Sequence, residues 1–183
     1  MKKLLLTAIF AVGLLSSQAQ RAGVGTRMMG YMLPKFSYQK ALDCPGGEVK
    51  PNQFLQIWDA HGGDPEKWVL EVVDDRVTPW VLAIKPVNNL DYALTISNGR
   101  FTEGNDIVLQ RYTGASNQKW KTTDDGYVIS FQNPLWCMKV EAEDKGGEQW
   151  HYKPGQRVKL HKRGPAWNYD LSSIWVFKLL EVW

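Results

Sequence analysis

An all-β fold built from three copies of one unit is what the amino-acid sequence predicts, and three observations carry that expectation. No long window holds the i, i+3, i+4 apolar stripe of an amphipathic helix, whereas short alternating apolar and polar runs are common. Turn formers stand between those runs at intervals of roughly ten residues. Tryptophan then recurs at one place in the pattern, with Trp68, Trp120 and Trp175 lying 52 and 55 residues apart.

The composition agrees with one domain of ordinary size. In 183 residues, 44% are hydrophobic, 22% are charged and two are cysteine, which excludes a disordered tail, a collagen-like fibre and a disulfide-stapled miniprotein. Nine tryptophans accompany seven tyrosines and six phenylalanines. Trp buries a large apolar body but needs a partner for its N–H, so this abundance points to a repeated packing role, a stacking surface, or both.

Taken in order, the chain opens on an address. Met1, Lys2 and Lys3 form a short positive region, residues 4–15 are apolar, and Ser17-Gln18-Ala19 offers the small residues a signal peptidase reads. Residues 1–19 are therefore expected to be a cleaved signal peptide and residues 20–183 a single domain, exported to the periplasm or the medium. The competing reading is an uncleaved anchor. No later segment has the run of about 20 apolar residues that a membrane span needs. Without Lys2 and Lys3 the chain carries 20 basic against 19 acidic residues, a balance that argues against nucleic-acid binding. Lys159, Lys162 and Arg163, the nearest thing to a basic run, read as a solvated loop.

Strands are predicted over residues 54–58, 80–84, 93–96, 107–110 and 127–131, punctuated by Gly46-Gly47, Gly62-Gly63-Asp64-Pro65, Asn98-Gly99, Asp124-Asp125-Gly126 and Lys145-Gly146-Gly147. Residues 55–68 align with 107–120 without a gap, each with apolar residues at the first and third positions and Trp at the fourteenth. A third copy runs from Val158-Lys159-Leu160 to Ser172-Ser173-Ile174-Trp175, lengthened around Gly164-Pro165-Ala166-Trp167 and again at residues 144–153. Ala41-Leu42-Asp43, Ala93-Leu94-Thr95 and Cys137-Met138-Lys139 hold equivalent places upstream. Three copies of about fifty residues thus fill the chain from residue 26 onward. Cys44 and Cys137 are either one long-range disulfide or two buried thiols, which geometry must decide.

These motifs give the chain a resemblance. Leu55-Gln56-Ile57-Trp58 followed by Gly62-Gly63, and Asn117-Gln118-Lys119-Trp120, resemble the hydrophobic-Gln-Leu-Trp strand, Gly-rich loop and Gln-x-Trp signature of the ricin B-type lectin β-trefoil. The resemblance implies three pseudo-symmetric four-stranded units, with six strands closing a barrel and six capping one end. Residues 28–33 and 176–182 would then be neighbouring strands that close the ring. Trp68, Trp120 and Trp175 would share one core position, with Gln118 bracing a loop.

The resemblance also implies sugar sites, each with an Asp, a Gln and an aromatic on the Gln-Leu-Trp strand, a loop polar residue, and the Asn of the signature. An aromatic ring stacks on the apolar face of a pyranose while carboxylate and amide groups hold its hydroxyls. In the first repeat Asp43, Gln56, Trp58 and His61 match, while Pro65 replaces the Asn and Asp64 stands beside it. In the second, Asn117 and Gln118 are kept, but Thr95 and Gln110 hold the Asp and aromatic positions, with Tyr112 two residues on. In the third, Lys139, His161 and Ser172 replace all three. The site set expected from the resemblance is therefore Asp43, Gln56, Trp58, His61, Asp64 and Asn117.

The expected function is a secreted, monomeric, non-catalytic carbohydrate-binding module. Galactose and N-acetylgalactosamine are the sugars the resemblance suggests. One such site predicts millimolar to high-micromolar binding, about −4 to −6 kcal/mol. The alternative is a trefoil that binds a protein partner through Trp150, Tyr152, Trp167 and Tyr169 in the two insertions. No cofactor is expected, and His61, His151 and His161 lack the HExxH or His-x-His spacing of a zinc site. Glu141, Glu143, Asp144 and Glu148 could be imagined as a glycosidase pair but read as a solvated loop.

Overall fold

The computed structural model describes residues 23–141, 152–164 and 170–183. The expected signal peptide lies outside the described residues. Among those that are described, the first repeat contributes β1 (Arg27–Pro34), β2 (Lys40–Asp43), β3 (Gln53–Phe54), β4 (Gln56–Asp59) and β5 (Lys67–Asp74). The second contributes β6 (Val81–Pro86), β7 (Tyr92–Ile96), β8 (Asn105–Arg111) and β9 (Trp120–Thr122), and the third β10 (Val128–Ser130), β11 (Trp136–Val140), β12 (Val158–Lys162) and β13 (Trp175–Val182).

Six of these strands pair in the antiparallel order β13-β1-β5-β6-β9-β10. A bridge between Tyr127 and Ile174, with the Trp175 N–H donating to the Gly126 carbonyl at 2.9 Å, joins β10 back to β13 and closes the barrel. Closure removes the unpaired edges of a long sheet. The ring closes where the resemblance implies, with Met28 opposite Val182 and Leu33 opposite Val176. A bulge interrupts that pair at Gly30, where a Cβ would lie 2.3 Å from the Lys178 carbonyl oxygen, so only glycine lets the two backbones approach.

Three hairpins, β2 with β4, β7 with β8 and β11 with β12, cap the barrel and tie to one another. Phe54 pairs with Val108, Lys159 with Asp106, and Gln56 bridges to Arg157. The strand predicted over residues 54–58 is therefore broken at Leu55. Phe54 belongs to the second repeat's hairpin, Gln56 pairs with Asp43, and the buried Leu55 gives its carbonyl to Val158 N–H at 3.0 Å. Alternation alone cannot report a change of partner, because both segments stay extended.

Trp68, Trp120 and Trp175 are fully buried at one repeated position. Their ring N–H groups donate to the carbonyls of Leu42 (2.9 Å), Leu94 (3.0 Å) and Met138 (3.2 Å), satisfying a donor that burial would otherwise leave unpaired. Cys44 and Cys137 are two buried free thiols in separate apolar clusters, which decides between the two readings of the sequence. Burial pushes their thiols up, to about 12 and about 11. No helix among the described residues is long and apolar enough to cross a membrane.

Candidate functional site

The β2–β4 hairpin sets two faces by its two-residue period. Leu42 and Ile57, directly paired, enter the core, so their neighbours Ala41, Asp43, Gln56 and Trp58 stand on the outer face. Asp43 faces Gln56 and Ala41 faces Trp58. Ala41 is fully buried, while Trp58 remains 41% exposed. An edge of the indole meets the third repeat, where a Cβ on Gly155 would lie 3.7 Å from Cζ3. Gly155 is hydrogen-bonded to the same strand, its N–H donating to the Ile57 carbonyl at 2.8 Å. Gln56 Nε2 donates to Asp43 Oδ2 at 2.7 Å, which fixes the carboxylate in a residue only 4% exposed. Burial raises the Asp43 pKa above the usual carboxylate range; the Gln56 bond opposes that shift and the charge of Glu66 adds to it.

Glu66 is the residue the sequence reading passes over. It lies in the one-turn 3-10 segment Asp64–Glu66, is fully buried, and accepts the N–H groups of His61 (3.1 Å) and Gly62 (2.8 Å). The signal that could have found it is the ungapped alignment, in which Glu66 stands where Gln118 does. In the second repeat Gln118 Oε1 accepts the Thr113 N–H at 2.8 Å, while Nε2 donates to Thr95 Oγ1 (3.1 Å) and to the Arg111 carbonyl (2.8 Å). Glu66 repeats the accepting half of that role and has no donor with which to repeat the other half.

His61 Nε2 lies 3.4 Å from Glu66 Oε1, and the Gly63 N–H donates to His61 Nδ1 at 3.1 Å. That second bond places the proton of the neutral ring on Nε2, facing Glu66. Asp43, His61 and Glu66 each put one ligand-type atom within 4.8 Å of the other two. They arrive from a strand, a loop and a 3-10 turn, so no local spacing motif announces them. Of the residues expected at this site, Asp43, Gln56, Trp58 and His61 come together on one face.

Asp64 does not join them. Its carboxylate pairs in solvent with Lys67 at 2.9 Å, and Pro65, not Asp64, occupies the inner position, its carbonyl accepting the Cys44 N–H at 3.0 Å. Asn117 braces the second repeat, with Nδ2 donating to the Ile96 carbonyl at 3.0 Å. Around it Gln110 bonds Asn52 and Tyr112 lies under Lys85, 4.2 Å from Nζ to the ring centre. In the third repeat Lys139 pairs with Asp170 at 2.6 Å and His161 Nδ1 with Glu103 at 2.7 Å, so the groups at the site positions are taken up by carboxylates from outside it.

Of the four aromatics proposed as anchors for a protein partner, Trp150, Trp167 and Tyr169 lie outside the described residues. Tyr152 is corrected: its ring stacks on Phe36 with centroids 3.5 Å apart and packs against the core. Of the imagined glycosidase residues, Glu141 pairs with Lys159 at 3.0 Å, and Glu143, Asp144 and Glu148 lie outside the described residues.

The model of the ricin-type β-trefoil lectin domain matches residues 31–159. No curated protein matches the chain. Among solved structures, ThreeFoil, a designed three-fold symmetric protein, is 19% identical with a TM-score of 0.65 over 84% of this chain and 98% of its own. The C-half of an earthworm R-type lectin, in complex with GalNAc, is 15% identical with a TM-score of 0.59 over 84% of this chain and 99% of its own. An exo-β-1,3-galactanase from Clostridium thermocellum is 22% identical with a TM-score of 0.66 over 84% of this chain, but the match spans only 30% of that enzyme. At these identities the structures establish the fold alone, while the sequence match covers well over half of the chain. With its barrel, its three capping hairpins and its three buried tryptophans, the chain belongs to the ricin-type β-trefoil lectin domain family.

Proposed function

We propose that this protein is an exported, non-catalytic carbohydrate-binding module whose sugar site is the outer face of the first-repeat hairpin. The observation that carries the reading is an exposed Trp58 on the same strand face as a preoriented Asp43–Gln56 pair. Trp58 supplies the ring on which a pyranose lays its C–H face, and Asp43 accepts hydroxyl protons while Gln56 holds its carboxylate in place. Asp43 is almost fully covered, so the sugar meets one edge of the carboxylate and not its whole surface. The second and third repeats lack both an exposed ring at the Trp58 position and a carboxylate at the Asp43 position.

Support from relatives is chemical in kind. The earthworm lectin of similar fold was solved with GalNAc and, as a mutant, with 6'-sialyllactose, so galactose-type sugars are the first ligands to test. One shallow site without avidity favours weak binding of a single residue. Export rests on the N-terminal pattern of residues 1–19, and mass spectrometry of the secreted protein should find Gln20 at its start.

The test is a glycan array probed with residues 20–183, run beside Trp58→Ala. Retention on a related set of glycans that disappears in the variant is the expected result. Equal retention by both proteins would remove the site from the first repeat.

A further inference from the structure

The first repeat gathers two carboxylates around one imidazole, held by the Gln56 amide and by the His61 and Gly62 N–H groups. Asp43 and Glu66 are both more than nine-tenths buried, and neither pairs with a lysine or arginine among the described residues. Gln56 is the one hydrogen-bond donor to the Asp43 side chain among those residues, so the second carboxylate oxygen, which is not sealed from solvent, is left for a ligand. Buried carboxylates are costly unless a cation or donors match them. The frame itself does not require the charge, because the same three positions in the second repeat hold Thr95, Thr113 and Gln118 joined by neutral hydrogen bonds.

We propose that Asp43, His61 and Glu66 bind a divalent transition-metal ion of the zinc class. The donor set is one imidazole nitrogen and two carboxylates, a combination that suits zinc, whereas calcium and magnesium take oxygen ligands. The 3.4 Å between His61 Nε2 and Glu66 Oε1 matches the edge of a tetrahedron with bonds near 2.0–2.1 Å, roughly 3.3 Å. The Asp43 ligand atom lies within 4.8 Å of both, and ligation would draw it inward against its Gln56 bond. The ion's two positive charges balance the two carboxylates. His61 is half exposed, which gives the ion a path from solvent.

Ligation has one local consequence that can be observed. With Nε2 on the ion, the ring proton moves to Nδ1, and the Gly63 N–H gives up its bond there and turns to water. Gly63 already sits so close that a Cβ would meet His61 Cε1 at 2.7 Å, so the loop reports directly on the ring. The site shares Asp43 with the proposed sugar face but uses neither Trp58 nor Gln56, so zinc affinity in Glu66→Gln and glycan retention in Trp58→Ala report on the two readings separately.

The experiment is a zinc titration of untagged residues 20–183 against a coloured chelator, with nitrogen-15 spectra of the histidine rings. One equivalent per chain is expected, with the His61 proton switching from Nε2 to Nδ1. Affinity should drop by at least roughly tenfold in Glu66→Gln and in His61→Ala. Glu66→Gln copies the second repeat and His61→Ala alters an exposed ring, so at least one of them keeps the melting temperature of the metal-free protein. Absence of stoichiometric binding, binding unchanged in both variants, or a response to calcium and none to zinc would each overturn the assignment.

Discussion

Thr95, Thr113 and Gln118 of the second repeat form a closed set of neutral hydrogen bonds, while 52 residues earlier Asp43, His61 and Glu66 occupy the same frame with two carboxylates and an imidazole. Both arrangements sit beside a buried Trp whose ring N–H donates to the neighbouring strand at 2.9 or 3.0 Å. The brace that holds the loop therefore shares in both repeats an acceptor for backbone N–H groups, to which the second adds a donor for Thr95 and Arg111. Ionisable groups stand in the repeat whose strand also presents an exposed Trp, and not in the repeat where that place is Gln110. Scaffold and recognition thus occupy different atoms of one motif, and each can change without the other.

The comparison can be broken most severely at the shared scaffold. Trp120→Ala removes a fully buried ring and its bond to Leu94, and it should cost about 3–5 kcal/mol in denaturant unfolding. Trp58→Ala, on the exposed ring of the first repeat, should cost less than about 1 kcal/mol. A comparable loss in both would mean that Trp58 is scaffold as well.

A smaller effect is expected from moving charge between repeats. Gln118→Glu deletes the donors to Thr95 and Arg111 and buries a carboxylate, so it should destabilise by about 1–3 kcal/mol at neutral pH. Glu66→Gln, the reciprocal change, should be neutral or stabilising, and equal losses in the two directions would contradict the account.

The next effect is a pH dependence. Burial raises the Asp43 pKa, so the folded protein binds this proton more tightly than the unfolded chain does. Its favourable contribution is present in full below the unfolded carboxylate value and is lost as pH rises through the folded one. With a chelator present, the melting temperature of Asp43→Asn relative to wild type should therefore improve between about pH 4 and pH 7. A difference that stays flat across that range would show that burial does not raise the Asp43 pKa in the folded protein. The smallest effect concerns Cys44, which stands where the second repeat has Ile96. With its thiol raised to about 12 and that of Cys137 to about 11, neither should react with a thiol reagent in the native protein at pH 8, and both should react once unfolded.

Much of the fold was legible because it is periodic. The Gln-x-Trp spacing and the alternation in residues 93–96 and 107–110 repeat the same physical demand, and the strands lie where that demand places them. The break at Leu55 was not legible, since a strand that changes partners keeps its alternation. For the site, Asp43, Gln56, Trp58 and His61 could be read by matching one repeat with a family pattern. Glu66 escaped because it looks like an imperfect Gln, and its meaning lies in two neighbours brought from residues 43 and 61. Asp64 misled in the opposite way. Adjacency in sequence placed it beside the missing Asn, but the 3-10 turn sends its side chain to Lys67.

The most direct test of the claim that the first repeat alone carries recognition is retention on immobilised galactose-type glycans of wild type, Trp58→Ala and Gln110→Ala, the last two altering equivalent positions in the first and second repeats. The account predicts that Trp58→Ala elutes with the void while Gln110→Ala is retained like wild type. Loss of retention in Gln110→Ala with retention preserved in Trp58→Ala would contradict it.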